Sequence, residues 1–160
     1  MFERSSAYVL LLVAFIGFGL SGCGFDRGAR VTPGFMAALG SPVYLHPPRD
    51  QTLSGWMETY IAIELENLGF KIVDQPADEV LMAYYYYSYD WQEPSYIRDF
   101  MIVFKPYPGY EPELLASATC YNRCSNSFLQ AGGREVHEAF TALREEMGKA
   151  GRGGLQDPWN

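Results

Sequence analysis

Glu79 to Trp91 reads EVLMAYYYYSYDW, and this stretch decides what kind of domain the chain builds. Tyrosine favours a pleated, half-buried surface, so the run Tyr84 to Tyr87 suits a strand better than a helix. Alternation along a strand places Tyr85, Tyr87, Tyr89 and Trp91 on one face, with Tyr84, Tyr86, Ser88 and Asp90 on the other. One face can pack under helices. The other then presents a row of tyrosines to solvent, a partner or a second layer. Exposed aromatic rows bind sugars or proteins, because rings bring large area at small entropic cost.

The flanking segments supply the covering layer. Residues 53–68 (LSGWMETYIAIELENL) have Thr52 or Ser54 as N-cap and Gly69 as the stop. Leu53, Trp56, Met57, Tyr60, Ile61 and Leu68 follow the three-four spacing of one buried helix face, and Glu64 falls in the middle of that stripe. A carboxylate there is expected to pair with a basic residue or to reach the edge of the interface. Phe70 to Val73 reads as a short strand, Pro42 to His46 as an earlier one and Arg98 to Lys105 as a later one. His46, at a strand end beside two prolines, reads as a surface residue. Arg134 to Met147 (REVHEAFTALREEM) forms a second helix with Val136, Phe140, Leu143 and Met147 as its apolar stripe. The expectation is an α+β fold: an antiparallel sheet of four or five strands covered on one face by two helices.

The N-terminus carries an address. Val9 to Leu20 (VLLLVAFIGFGL) is an apolar run of twelve residues, short of the roughly 20 that span a bilayer. It matches the apolar core of a secretory signal, with small residues Ser21 and Gly22 at the cut site. Leu20-Ser21-Gly22-Cys23 resembles the lipobox of bacterial lipoproteins. That resemblance implies cleavage before Cys23, a diacylglyceryl group on its sulfur and an acyl chain, such as palmitate, on the new amine. Acyl chains at about 0.8 kcal/mol per buried methylene then anchor the protein, stably when more than one is present. Gly24 follows, where an Asp would favour inner-membrane retention, so the sorting pattern of Gram-negative lipoproteins implies the periplasmic face of the outer membrane. The chain divides into a signal peptide over 1–22, a lipidated Gly-rich tether over 23–40, one α+β domain over 41–148 and a loose tail over 149–160.

Charge and cysteine usage narrow the function classes. A formal charge of -7 opposes nucleic-acid binding, which needs a basic surface to displace counterions. Hydrophobic content of 48% and aromatic content of 16% argue for a packed domain rather than disorder. With Cys23 assigned to lipid, Cys120 and Cys124 remain as an even pair in a compartment that permits disulfides. Four residues apart in a continuous strand they lie about 13 Å apart, too far to bridge. A hairpin with Tyr121-Asn122-Arg123 as its loop brings them together, and a disulfide there is the expectation. Two reduced cysteines are the plain alternative. A redox pair is disfavoured because three residues intervene, not two.

Recognised catalytic motifs are missing. The sequence has no His-Glu-x-x-His, no Gly-x-Ser-x-Gly elbow and no phosphate-cradling glycine loop. Cys120, Cys124 and His137 fall one ligand short of a structural zinc set. No catalytic residue, metal or cofactor is assigned, and the expectation is a protein that is not an enzyme.

Leu65, Gly69, Phe70, Pro76, Ala77, Asp78 and Leu81, within Ile63 to Tyr87, resemble a pattern of small outer-membrane lipoproteins of unknown function. In that pattern a helix ends in Leu-x-x-x-Gly-Phe, a short strand follows, and Pro-Ala-Asp opens a long central strand. The resemblance implies a helix-on-antiparallel-sheet domain and transfers no catalytic residues. Together these readings describe a membrane-anchored accessory or scaffold lipoprotein of the cell envelope. Its candidate contact surface is Tyr84, Tyr86, Asp90 and Trp91. The partner is an envelope protein, or alternatively a glycan of peptidoglycan or lipopolysaccharide bound by the tyrosine row.

Overall fold

The computed structural model describes residues 24–46, 48, 54–89, 97–108, 113–123 and 133–153. In chain order these form strand β1 (Phe25–Val31), the short helix α1 (Pro33–Ala37), β2 (Pro42–His46), α2 (Ser54–Asn67) and β3 (Lys71–Val73). Then come β4 (Leu81–Tyr89), β5 (Ile97–Pro106), β6 (Ala116–Asn122) and α3 (Gly133–Gly153). The strands make one sheet in the order β1-β6-β5-β4-β2-β3. The α+β class holds, but the sheet has six strands and is mixed: β1, β6, β5 and β4 are antiparallel neighbours, while β2 runs parallel to both β3 and β4. The cause is α2, because a helical crossover between β2 and β3 returns the chain to the end of the sheet where it started. β3 is only three residues long, so the segment 74–80 can carry the chain back past β2 to open β4.

One hydrophobic core fills the space between the helices and one sheet face. From the sheet come Val43, Leu81, Ala83, Tyr85, Phe100, Ile102, Phe104 and Ala118, and from the helices Phe35, Met57, Ile61, Leu65, Val136, Phe140 and Leu143. Phe35 of α1 packs its ring 5.0 Å from that of Phe104 and 5.7 Å from that of Phe70. Alternation in β4 follows the expected period, with Tyr85 and Tyr87 buried and Tyr86 exposed. The face of α2 is shifted from the expected one: Met57, Ile61, Glu64 and Leu65 are buried, whereas Tyr60 is exposed.

The expected tether over 23–40 is overturned, since Phe25–Val31 is the edge strand β1 and Pro33–Ala37 is helical. Its period was obscured by Arg27, which points toward the helices with Phe25, Ala29 and Val31. There it pairs with Glu138 and Glu145 of α3, 2.8 Å each. Thr32 then caps α1: its Oγ1 accepts from the Phe35 amide at 3.3 Å and donates to the Leu115 carbonyl at 2.8 Å. The helix α3 also outruns its expected end at Gly148 and continues to Gly153, into the segment read as tail.

The Leu65, Gly69, Phe70 part of the sequence pattern is a helix-reversing cap. Gly69 adopts φ 89°, its amide donates to the Glu66 carbonyl at 2.9 Å, and the Phe70 amide donates to the Leu65 carbonyl at 3.1 Å. These are the two bonds of a Schellman motif, and Leu65 and Phe70 supply its apolar contact in the core. An added Cβ at Gly69 meets no atom within 4 Å. Gly69→Ala is therefore expected to cost only the left-handed backbone term, about 1 kcal/mol. Leu65→Ala, which opens a core cavity, is expected to cost about 2–5 kcal/mol. Urea unfolding midpoints of the two variants check the order.

Candidate functional site

All of the helical covering lies on one side, so among the described residues no helix lies over the other face of the sheet. Register gives its composition row by row: Tyr44 beside Met82 and Lys105, then His46 beside Tyr84, Val103, Ser117 and Arg30. The next row holds Tyr86, Met101, Thr119 and Gly28, and the last holds Ser88, Asp99, Tyr121 and Asp26. Each is the outward member of an alternating strand whose inward members build the core.

Two depressions mark this face. The larger, about 1020 Å³, runs over Tyr44, His46, Met82, Tyr84, Tyr86 and Lys105. Its floor is an aromatic cluster: the rings of His46 and Tyr84 lie 4.9 Å apart at 31°, and Tyr44 meets His46 edge-on at 6.2 Å. The second, about 640 Å³, lies over Met101, Thr119, Tyr121 and the pair Ser88–Asp99, in which the Ser88 hydroxyl donates to Asp99 at 2.5 Å. Between them stand Tyr86, 49% exposed, and Met101, 37% exposed. The face combines large apolar rings with hydroxyl, imidazole and ammonium groups at their rims.

Of the expected contact residues, Tyr84 and Tyr86 are on this face, Tyr84 half-buried and Tyr86 exposed. Asp90 and Trp91 lie outside the described residues, as does the proposed lipid site Cys23. Sequence reasoning placed His46 at the surface without joining it to Tyr84, and it missed Met101, Lys105 and Tyr121. The alternation of β5 and β6 held the signal for these three, but their register beside β4 depends on pairings that no local pattern states.

The expected hairpin at Cys120 is not formed. Tyr121 and Asn122, assigned to its loop, are strand residues of β6 that pair with Asp26 and Phe25 of β1. A strand partner keeps this segment extended where a turn was expected. Cys120 is a buried free thiol facing α3, and Cys124 lies outside the described residues, so no disulfide is formed among the described residues.

The charged residues read from the helices form a separate cluster. Glu64, 8% exposed, has one carboxylate oxygen 2.7 Å from His137 Nδ1 and the other 2.6 Å from Arg144 Nη1. Arg144 also donates to Thr141 Oγ1 at 3.1 Å. This is the basic pairing expected for Glu64, and it ties α2 to α3. With both oxygens engaged, the carboxylate acts as a cross-link between the helices, and neither depression is lined by it. A second buried carboxyl, Glu135, accepts from Asn122 Nδ2 at 2.7 Å, and burial pushes its pKa up. Burial likewise raises the Tyr85 hydroxyl, which donates to Glu58 at 2.9 Å. Among the described residues no group of three or more His, Cys, Asp or Glu side chains could hold a metal ion.

No protein-family model and no curated protein sequence matches this chain. Among solved structures the chain is similar to a PelC dodecamer subunit from Paraburkholderia phytofirmans at TM-score 0.48 and 14% identity, over 75% of this chain and 95% of that one. It is similar to a PDZ domain protein from Parabacteroides distasonis at TM-score 0.39 and 10% identity, over 84% of this chain and 38% of that one. A minor lipoprotein from Acinetobacter baumannii is similar at TM-score 0.30 and 13% identity, over 71% of this chain and 89% of that one.

Burial, with the nearby charges of Glu135 and Glu138, pushes the Cys120 thiol up to about 12. The unfolded chain therefore releases this proton first, near the ordinary value of 9.0, so the contribution to stability is constant below that pH and declines above it. In a chain with Cys124→Ser and Cys23→Ala, Cys120 is expected to resist maleimide at pH 7.5 and to react once urea unfolds the domain. Labelling followed by mass spectrometry checks this.

Proposed function

We propose that the protein is a lipid-anchored, non-catalytic accessory module of the cell envelope, held by acyl chains on Cys23 at the periplasmic face of the outer membrane. The sheet face over which no helix lies among the described residues serves as the recognition surface. The observation that carries this reading is the one-sided covering of the sheet, which leaves Tyr86 and Met101 exposed between two depressions. The lipobox pattern Leu20-Ser21-Gly22-Cys23 supports the anchoring, because an apolar run of this length followed by two small residues and a cysteine suits lipoprotein processing. In this reading the polar clusters have structural work: Glu64 joins two helices, and Arg27 holds an edge strand to α3.

A glycan is the second reading, favoured by the adjacent, tilted His46 and Tyr84 rings with Lys105 at the rim of the same depression. Sugar rings pack their C–H faces on such platforms while hydroxyls take hydrogen bonds from the rim. The mature chain made without lipid, sedimented with purified sacculi and with lipopolysaccharide, decides between the two. Glycan recognition predicts specific binding that Tyr84→Ala with Tyr86→Ala reduces at least tenfold, with circular dichroism unchanged. Absence of binding to either material assigns the face to a protein partner, to be sought by a photo-crosslinker in place of Tyr86 in cells.

A further inference from the structure

The chain leaves no slack between the candidate lipid site and the sheet. The Gly24 carbonyl already accepts from the Arg123 amide at 3.1 Å, and β1 begins at Phe25. One peptide link, about 3.8 Å between Cα atoms, separates Cys23 from a residue held in the fold. Acyl chains on Cys23 therefore bring one end of the sheet to the headgroups, and register says which residues lie at that end. Phe25 pairs with Asn122, Tyr121 with Asp99, and Ile97 with Tyr89. Beside them α3 begins at Gly133.

That end is rich in arginine set against aromatic rings. The Arg134 guanidinium lies 4.7 Å from the centre of the Phe25 ring. Arg98 lies 5.6 Å from the Tyr121 ring and donates to its hydroxyl at 3.0 Å. Arg123 pairs with Asp26 across the strand ends. All three arginines and Tyr121 are exposed. Arg134 also sits in the first turn of α3, where the helix dipole is already positive. A cation there gains nothing from its own helix, but it adds to the attraction for phosphate. Among the described residues the acids at this end include Asp26, bound to Arg123, Asp99, bound to Ser88, and Glu135, buried against Asn122. The opposite end carries exposed Asp78, Glu79 and Glu113. Lys71 and Lys105 lie at that opposite end as well.

We infer that the sheet end formed by Phe25, Arg98, Tyr121, Arg123 and Arg134 is a membrane-docking edge that lies on phospholipid headgroups and sets the orientation of the domain. The inference rests on the reading of Cys23 as the anchor. Arginine binds phosphate oxygens in a fork geometry, and aromatic rings are favoured at headgroup depth. With this edge down, the strands rise from the bilayer and both the helices and the open face stand clear of it.

The test separates anchoring from docking. Mass spectrometry of the full chain purified from an envelope shows whether Cys23 carries acyl groups, and an unmodified Cys23 removes the anchoring reading. Docking is read independently on the mature chain, coupled at Cys23 to a maleimide lipid in vesicles of phosphatidylglycerol and phosphatidylethanolamine, in a Cys124→Ser background. A fluorescent amino acid replaces Tyr121 or, separately, Tyr107 at the far end. Brominated lipid is expected to quench the probe at 121 strongly and the probe at 107 weakly. Replacing Arg98, Arg123 and Arg134 by Gln is expected to weaken quenching at 121, each arginine contributing on the order of fivefold to the docked population at low salt. Equal quenching at both positions, or quenching at 121 unchanged in the triple variant, overturns the docking edge.

Discussion

The constraint on which the structure depends is the two-residue period of β4. Leu81, Ala83, Tyr85 and Tyr87 all turn toward the helices, so the outward places go to Met82, Tyr84, Tyr86 and Ser88. A slip of one residue would exchange these sets and move Tyr86 and Ser88 into the core. Every other pairing is referred to this strand. β5 takes its register from it on one side and β2 on the other, and β6 and β1 follow from β5. The one-sidedness of the domain is therefore written into a single strand and copied outward across six.

The charged residues support this arrangement from the helical side. A helix laid on a sheet by apolar contacts alone is free to slide, because dispersion and hydrophobic burial are non-directional. Glu64 meets His137 and Arg144, and Arg27 meets Glu138 and Glu145, so α3 is fixed both to α2 and to the sheet edge. Surface pairs of this kind add little stability, whereas a nearly buried carboxylate with both oxygens engaged fixes position. α3 carries the partners for both ties, His137 and Arg144 for Glu64 and Glu138 and Glu145 for Arg27.

The residues that sequence patterning places well are those whose role is local. Tyr85 and Tyr87 bury themselves by alternation, and Gly69 ends α2 through a backbone conformation that only local bonds require. What patterning missed depends on distant partners. Arg27 faces the helices because of Glu138 and Glu145, more than a hundred residues later, and without them β1 reads as linker. Tyr121 and Asn122 stay extended because β1 pairs with them, so the turn expected from their composition is suppressed. The direction of β2 follows from the crossover through α2, which strand periodicity does not encode. His46 and Tyr84 were each legible as surface groups, yet their ring contact is a product of register.

The position of β1 also bears on how the domain is completed. It is the first strand made, but its partner β6 is the last, and Asp26 meets Arg123 across 97 residues of chain. Closing a loop of that length costs conformational entropy before any of its contacts form. During synthesis the earlier strands and α2 can associate while β1 waits, its backbone edge unpaired. The strand nearest the N-terminus is thus the one that seals the described sheet, once β6 has been made.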